Sequence, residues 1–212
     1  MANCRLWLLL IGLGSLLVAG CARQVAVQPV IDPADYPSLT VLPFDTESVF
    51  STIGEQMADQ IVLELMQYAP QFRIIERARV NDLLLERNLE AEGVAKPAST
   101  IEAARLLGVS AILTGSVSVS ISDVEPAPEQ RERVANSVAV VRLIDAADGR
   151  IIWAHEVQGD YSVLTYLYGE VDQVETDYDM VQEVIKEVAR RTAQFFYPHT
   201  ERDYGPPASG TP

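Results

Sequence analysis

The first twenty residues constrain this chain most, because they describe a segment that leaves before any fold forms. The stretch MANCRLWLLLIGLGSLLVAG places one cation, Arg5, ahead of an apolar run from Leu6 to Val18, closed by Ala19 and Gly20. The run is shorter than the about 20 apolar residues that a spanning helix needs. A positive start, a short apolar centre and a small-residue exit together read as a secretory signal. Residues 1–20 are therefore expected to be an export signal, and the fold must be built from residue 21 onward.

The exit has a particular form. Val18-Ala19-Gly20-Cys21 resembles the bacterial lipoprotein lipobox, in which cleavage after Gly20 leaves a cysteine that carries diacylglycerol and an acyl chain such as palmitate. The resemblance implies lipid attachment at Cys21. Each buried methylene of such a chain adds about 0.8 kcal/mol of membrane affinity, and more than one chain is needed for stable anchoring. Ala22 stands where Asp marks inner-membrane retention in typical enterobacterial lipoproteins, so the implied address is the outer membrane, facing the periplasm. Cys4 would leave with the signal and Cys21 would be acylated, so neither remains for a disulfide. That suits an oxidising compartment.

The chain carries 16 Lys plus Arg against 30 Asp plus Glu, a net charge of -14. Its longest basic runs are Arg77/Arg79 and Arg190-Arg191. Such a surface repels a polyanion at long range, so nucleic acid is set aside as a partner.

Residues 21–37, rich in proline and without helical period, read as a lipidated start and an extended tether. The domain is expected over 38–199, with a disordered tail over 200–212. Ser38–Phe44 reads as a strand whose Pro43 marks an edge or an end. Thr52 and Glu55 form a capping-box pattern, and Met57, Ala58, Ile61, Val62, Leu65 and Met66 recur at helical steps. A strand at Phe72–Ile75, a helix at Ala78–Leu89 and a short helix from Ser99 to Leu107 come next. Ala111–Ile121 alternates as a half-buried strand, and residues 123–133 read as a charged loop with two prolines. Val134–Ile144 and Ile151–Val157 form a hairpin around Asp148-Gly149. Tyr161–Tyr168 reads as an edge strand or a loop. Thr176 opens a final helix lined by Val181, Val184, Ile185, Val188, Thr192 and Phe195. The order β-α-β-α-α-β-β-β-α predicts a single α/β domain with a mixed β-sheet packed with helices.

Five segments in this order resemble the CsgG family of curli production assembly lipoproteins. They are Thr40–Phe44, the helix from Ile53 to Met66, Phe72–Arg77, Leu107–Val117, and Val140–Asp145 leading into Gly149–Trp153. The resemblance runs from about residue 39 to residue 160. It implies a lipoprotein of the outer membrane that faces the periplasm. Members include a ring-shaped secretion channel, which inserts two β-hairpins per subunit into the membrane. Others assist cell-wall synthases, flagellar basal structures or surface adhesion. Here the first membrane hairpin would fall between Ile121 and Val134 and the second between Val157 and the final helix. Neither stretch is expected to supply the two strands of about 9–11 residues that a membrane hairpin requires.

The residues offer little chemistry. His155 is expected beside Trp153 on one face of a strand, and His199 at the end of the last helix after Pro198. Two distant histidines with scattered carboxylates do not make a zinc site. Thr114-Gly115-Ser116 precedes a strand rather than the helix N-terminus that a phosphate loop needs. Glu76-Arg77 reads as local charge pairing or helix capping, with a subunit or ligand contact as the alternative. Glu170–Asp179 reads as a solvated loop and helix start, with attraction of a basic partner segment as the alternative. Tyr161, Tyr166 and Tyr168 are the candidate protein contacts, since tyrosine joins an apolar body to a polar tip; burial against the chain's own sheet is the competing reading. The expectation is a protein without catalysis or cofactor, apart from the lipid on Cys21. It would meet other envelope or secretion proteins, with homo-oligomers as a further partner class. Its rival is an oligomeric curli-type secretion channel subunit.

Overall fold

The computed structural model describes residues 23–47, 50–86, 97–127, 130–166 and 176–203. Two compact units divide the chain, one over Pro29–Tyr197 and one formed by the segments up to Gln28 and from Pro198.

The smaller unit is an antiparallel ribbon. Strand β1 (Arg23–Val27) pairs with β7 (His199–Asp203), from Arg23 opposite Asp203 to Val27 opposite His199. Residues 23–27 were expected in an extended tether and 200–203 in a disordered tail. Both are strands because each supplies the other's backbone partners, a relation that local composition does not display. His199 correspondingly lies in a strand, not at a helix end, with Nε2 3.2 Å from Oε1 of Glu201.

The larger unit runs β2 (Ser38–Val41), α1 (Ile53–Tyr68), β3 (Arg73–Ile74), α2 (Arg77–Glu86), α3 (Pro97–Leu106), β4 (Ala111–Ala127), β5 (Gln130–Asp145), β6 (Ile151–Tyr166) and α4 (Asp177–Ala193). A single 3-10 turn, Gln194–Phe196, succeeds α4. The predicted α/β class, the mixed sheet and the element order are all observed. The sheet order is β3-β2-β4-β5-β6, with β2 parallel to β3 and β4 and the last three strands antiparallel.

Helix α1 buries Ile53, Met57, Ala58, Ile61 and Leu65, the three- and four-residue steps that place side chains on one stripe. They join Leu39, Val41, Leu113, Val141, Leu143, Ile185, Val188 and Phe196 in the main core. Phe196 meets Phe72 edge-on with centroids 5.7 Å apart. The opposite face of the sheet is covered at its β2 end, where Ala104, Val109, Ile112 and Ala146 cluster and Val80, Leu84 and Ala103 pack beside them.

The two predicted helix starts behave differently. Thr52 has helical backbone angles and makes no side-chain cap, so the Thr52/Glu55 box does not form. At Thr176 the backbone is extended, its Oγ1 accepts from the Asp179 N–H at 3.2 Å, and Asp179 Oδ2 accepts from the Thr176 N–H at 3.0 Å. Both orphan donors are satisfied reciprocally.

Strands β4 and β5 overrun their expected ends. Residues 123–127 and 130–133 are strand rather than loop, paired from Asp123 opposite Arg133 to Ala127 opposite Gln130. Pro126 falls within the register shift between Val124 and Ala127, the kind of irregularity that tolerates a missing N–H. Arg133 is ion-paired to Asp123 at 3.5 Å and to Asp177 of α4, so charges that suggested a loop instead tie strand to helix.

Candidate functional site

Strands β4, β5 and β6 continue well past β2, whose pairing with β4 stops at Val41 opposite Leu113. A strand of 17 residues such as β4 spans roughly 55 Å at the usual rise. The part beyond Val117 is a three-stranded arm. One face of it carries Val119, Ile121, Ala135, Tyr161 and Val163 against Met180 and Val184 of α4. Small residues let the helix settle close: a Cβ on Gly159 would stand 2.6 Å from Cγ2 of Val188.

The other face carries Ser118, Ser120 and Ser122 on β4, which stand opposite Val138, Asn136 and Val134 on β5. These in turn stand opposite Gln158, Asp160 and Ser162 on β6. Val138 and Leu164 are exposed there. No described helix or strand covers this part of the face.

The long edge of β6 is the more specific feature. The Asp45 N–H donates to the Gly115 carbonyl at 2.9 Å and the Val117 N–H to the Asp45 carbonyl at 2.8 Å, so odd residues of β4 turn their backbone groups away from β5 here. Alternation across an antiparallel ladder and the observed register then turn the even residues of β6 outward. Arg191 agrees: its Nη1 donates to the Gln158 carbonyl oxygen at 2.7 Å. Among the described residues no strand pairs with this edge, and Ala154, Glu156, Asp160, Ser162 and Leu164 present the outward backbone groups.

Arg191 is held by a shared carboxylate. Glu187 accepts from Arg191 Nε at 2.6 Å and from Arg190 Nη2 at 2.7 Å and Nε at 2.9 Å. Burial by itself would raise the Glu187 carboxyl; the hydrogen bonds and charges of Arg190 and Arg191 outweigh it and hold it below its ordinary value. An open hollow of about 310 Å³ lies beside this network, bordered by Glu64, Asp160, Tyr161, Glu187 and Arg190.

Tyr161 is half-buried under α4, opposite Ala135, so packing takes much of its ring. Tyr166 is the last residue of β6, opposite Gln130. Gly20, Cys21 and Tyr168 lie outside the described residues, as do residues 170–175 of the acidic stretch; Asp177 and Asp179 stand in the first turn of α4. His155 and Trp153 share a strand face as expected, stacked with centroids 5.9 Å apart and each 4.8 Å from the Phe195 ring. Arg77 pairs with Asp59 of α1, at 2.7 Å, rather than with a neighbour in its own segment as expected. Among the described residues no three His, Cys, Asp or Glu side chains converge as metal ligands. The outward set on β6 escaped sequence reasoning, although the polar run at even positions Glu156, Gln158, Asp160 and Ser162 was its signal.

Residues 12–125 match the model of the family described as "Curli production assembly/transport component CsgG". The chain belongs to this family. No curated protein matches the sequence. Among solved structures, this CsgG-family chain is similar to a PelC dodecamer subunit from Paraburkholderia phytofirmans, at 11% identity over 82% of this chain and 94% of that one, TM-score 0.44. It is also similar to the LpoB C-terminal domain from Escherichia coli, at 15% identity over 60% of this chain and 86% of that one, TM-score 0.43. A third is a minor lipoprotein from Acinetobacter baumannii, at 11% identity over 75% of this chain and 87% of that one, TM-score 0.38.

Proposed function

We propose that this CsgG-family chain is a lipoprotein of the cell envelope that works by protein–protein contact, without catalysis. The lipid on Cys21 holds it at the outer membrane facing the periplasm, and the α/β unit presents the contact surface. Its role is in envelope assembly or in the secretion of surface structures. The observation that carries this reading is the β4–β6 arm, which projects past β2 with a long edge open to another chain. Edges of that length are usually covered or blunted unless they are used.

A curli-type channel subunit is the second reading, and the unexpected length of β4 and β5 is what favours it. Its difficulty is chemical. Ser118, Ser120, Ser122, Asn136 and Asp160 occupy one face of the arm, while Asp123 and Arg133 stand at the end of the other. The first face is polar and the apolar residues of the second are covered by α4, so neither offers the free apolar band that lipid requires.

Crosslinking in intact cells, followed by affinity purification of the tagged full chain, tests the contact reading. It predicts envelope proteins joined to the chain, and Cys21→Ser protein that is neither lipidated nor processed. Heat-stable rings in detergent that conduct ions across planar bilayers would instead establish the channel.

A further inference from the structure

We propose that the outward edge of β6 from Glu156 to Leu164 is a docking strip for an extended, lysine- or arginine-bearing segment of a partner protein. This rests on the contact reading above and names the kind of partner.

The edge supplies both halves of such a site. Asp160, Ser162 and Leu164 turn N–H and C=O groups outward in series, the template on which an added strand forms main-chain hydrogen bonds. Flanking them on the uncovered face, Glu156 and Asp160 are exposed carboxylates with no cation paired to them among the described residues; Glu156 accepts only from Gln158 Nε2, at 2.8 Å. They stand four residues apart in one strand, so alternation puts both on the same face. A partner strand with cations at matching alternate positions would meet them directly.

The chain already displays the preferred chemistry. The one group seated on this edge among the described residues is a guanidinium: Arg191 donates to the Gln158 carbonyl while Glu187 holds it from behind at 2.6 Å. It takes a single carbonyl and leaves the run from Asp160 onward open. Two-fold pairing with a second β6 centred on Gln158 would set Glu156 against Asp160 of the other copy, a like-charge opposition that destabilises a strand pair. With a net charge of -14, the whole surface also steers cationic segments inward at low salt.

The test uses the full chain in detergent and a short fluorescent peptide alternating lysine and valine, read by anisotropy. The expected result is saturable binding that weakens as salt rises. N-methylation of alternate peptide amides should weaken it by about tenfold or more, through lost main-chain hydrogen bonds. The double variant Glu156→Gln/Asp160→Asn, which leaves the backbone edge intact, should lose up to about fivefold and flatten the salt dependence. A glutamate-for-lysine peptide should not bind. The proposal is overturned if the lysine peptide fails to bind, if N-methylation or the double variant leaves its affinity unchanged, or if the glutamate peptide binds equally. It is also overturned if the peptide binds only by dissociating a preformed oligomer, which would assign the edge to a second copy. Envelope partners crosslinked elsewhere, with no peptide bound, would leave the contact reading intact and remove this one.

Discussion

Gly159 of β6 lies so close beneath Val188 of α4 that a Cβ would stand 2.6 Å from the Val188 Cγ2 atom. That approach fixes how the helix seats on the arm, because valine is stiff about χ1 and cannot swing clear. Gly159→Ala is expected to cost about 1–3 kcal/mol through overpacking. Adding Val188→Ala should recover part of the loss, and a double-mutant cycle by urea unfolding measures the coupling. Additive losses would mean that the two residues do not press on each other.

Ser137 sits opposite Gly159 and is buried, and its hydroxyl has no hydrogen-bond partner among the described residues. A buried unsatisfied hydroxyl opposes folding, so Ser137→Ala should leave stability unchanged or raise it by about 1 kcal/mol. A clear fall in the unfolding midpoint would contradict the packing described for this layer.

Helix α4 depends on its start. Thr176→Ala removes the oxygen that accepts from the Asp179 N–H and is expected to cost about 1 kcal/mol. Thr52→Ala is a matched control, because Thr52 makes no side-chain cap, and it should change stability little.

The same cap gives a pH signature. The Thr176 hydroxyl and then its N–H hold the Asp179 carboxyl below its ordinary value. Glu187 is also lowered, burial being outweighed by Arg190 and Arg191. Carboxylates lowered in the folded state stabilise it fully above their unfolded pKa values, and that stability is lost as pH falls through the folded ones. Tyr197 behaves oppositely: burial first, then Glu64, raise its hydroxyl above the ordinary value. Its contribution is present below the unfolded pKa and is lost as pH rises through the folded one. Urea midpoints across pH should therefore fall on both limbs. Glu187→Gln should flatten the acid limb and Tyr197→Phe the alkaline one.

The elements that sequence made legible are those whose cause is local. The turn at Asp148-Gly149 is one, since Gly149 takes φ +75°, a conformation that glycine adopts without steric cost. The buried stripe of α4 is another, with Val181, Val184, Ile185, Val188 and Thr192 all inside. What escaped depends on distant partners. Residues 23–27 have no reason to be a strand until 199–203 lie beside them. Residues 123–133 contain two prolines and many charges, yet a register shift takes up Pro126 and Asp177 neutralises Arg133. Thr52/Glu55 and Thr176/Asp179 carry comparable cap patterns, and only the backbone angles of the capping threonine separate them. At the candidate site, the sequence favoured aromatic side chains, whereas the open surface is a row of backbone groups that any sequence possesses. Only the register decides which of them face out.

The central claim is that the chain acts by contact through its projecting arm. Site-specific photo-crosslinking in intact cells tests it most directly, with the photoreactive side chain placed in turn at Ser162, on the uncovered face of β6, and at Glu55 on the first turn of α1. The account predicts strong adducts to another envelope protein from Ser162 and weak or no adducts from Glu55. Adducts from Glu55 with none from Ser162 would contradict it.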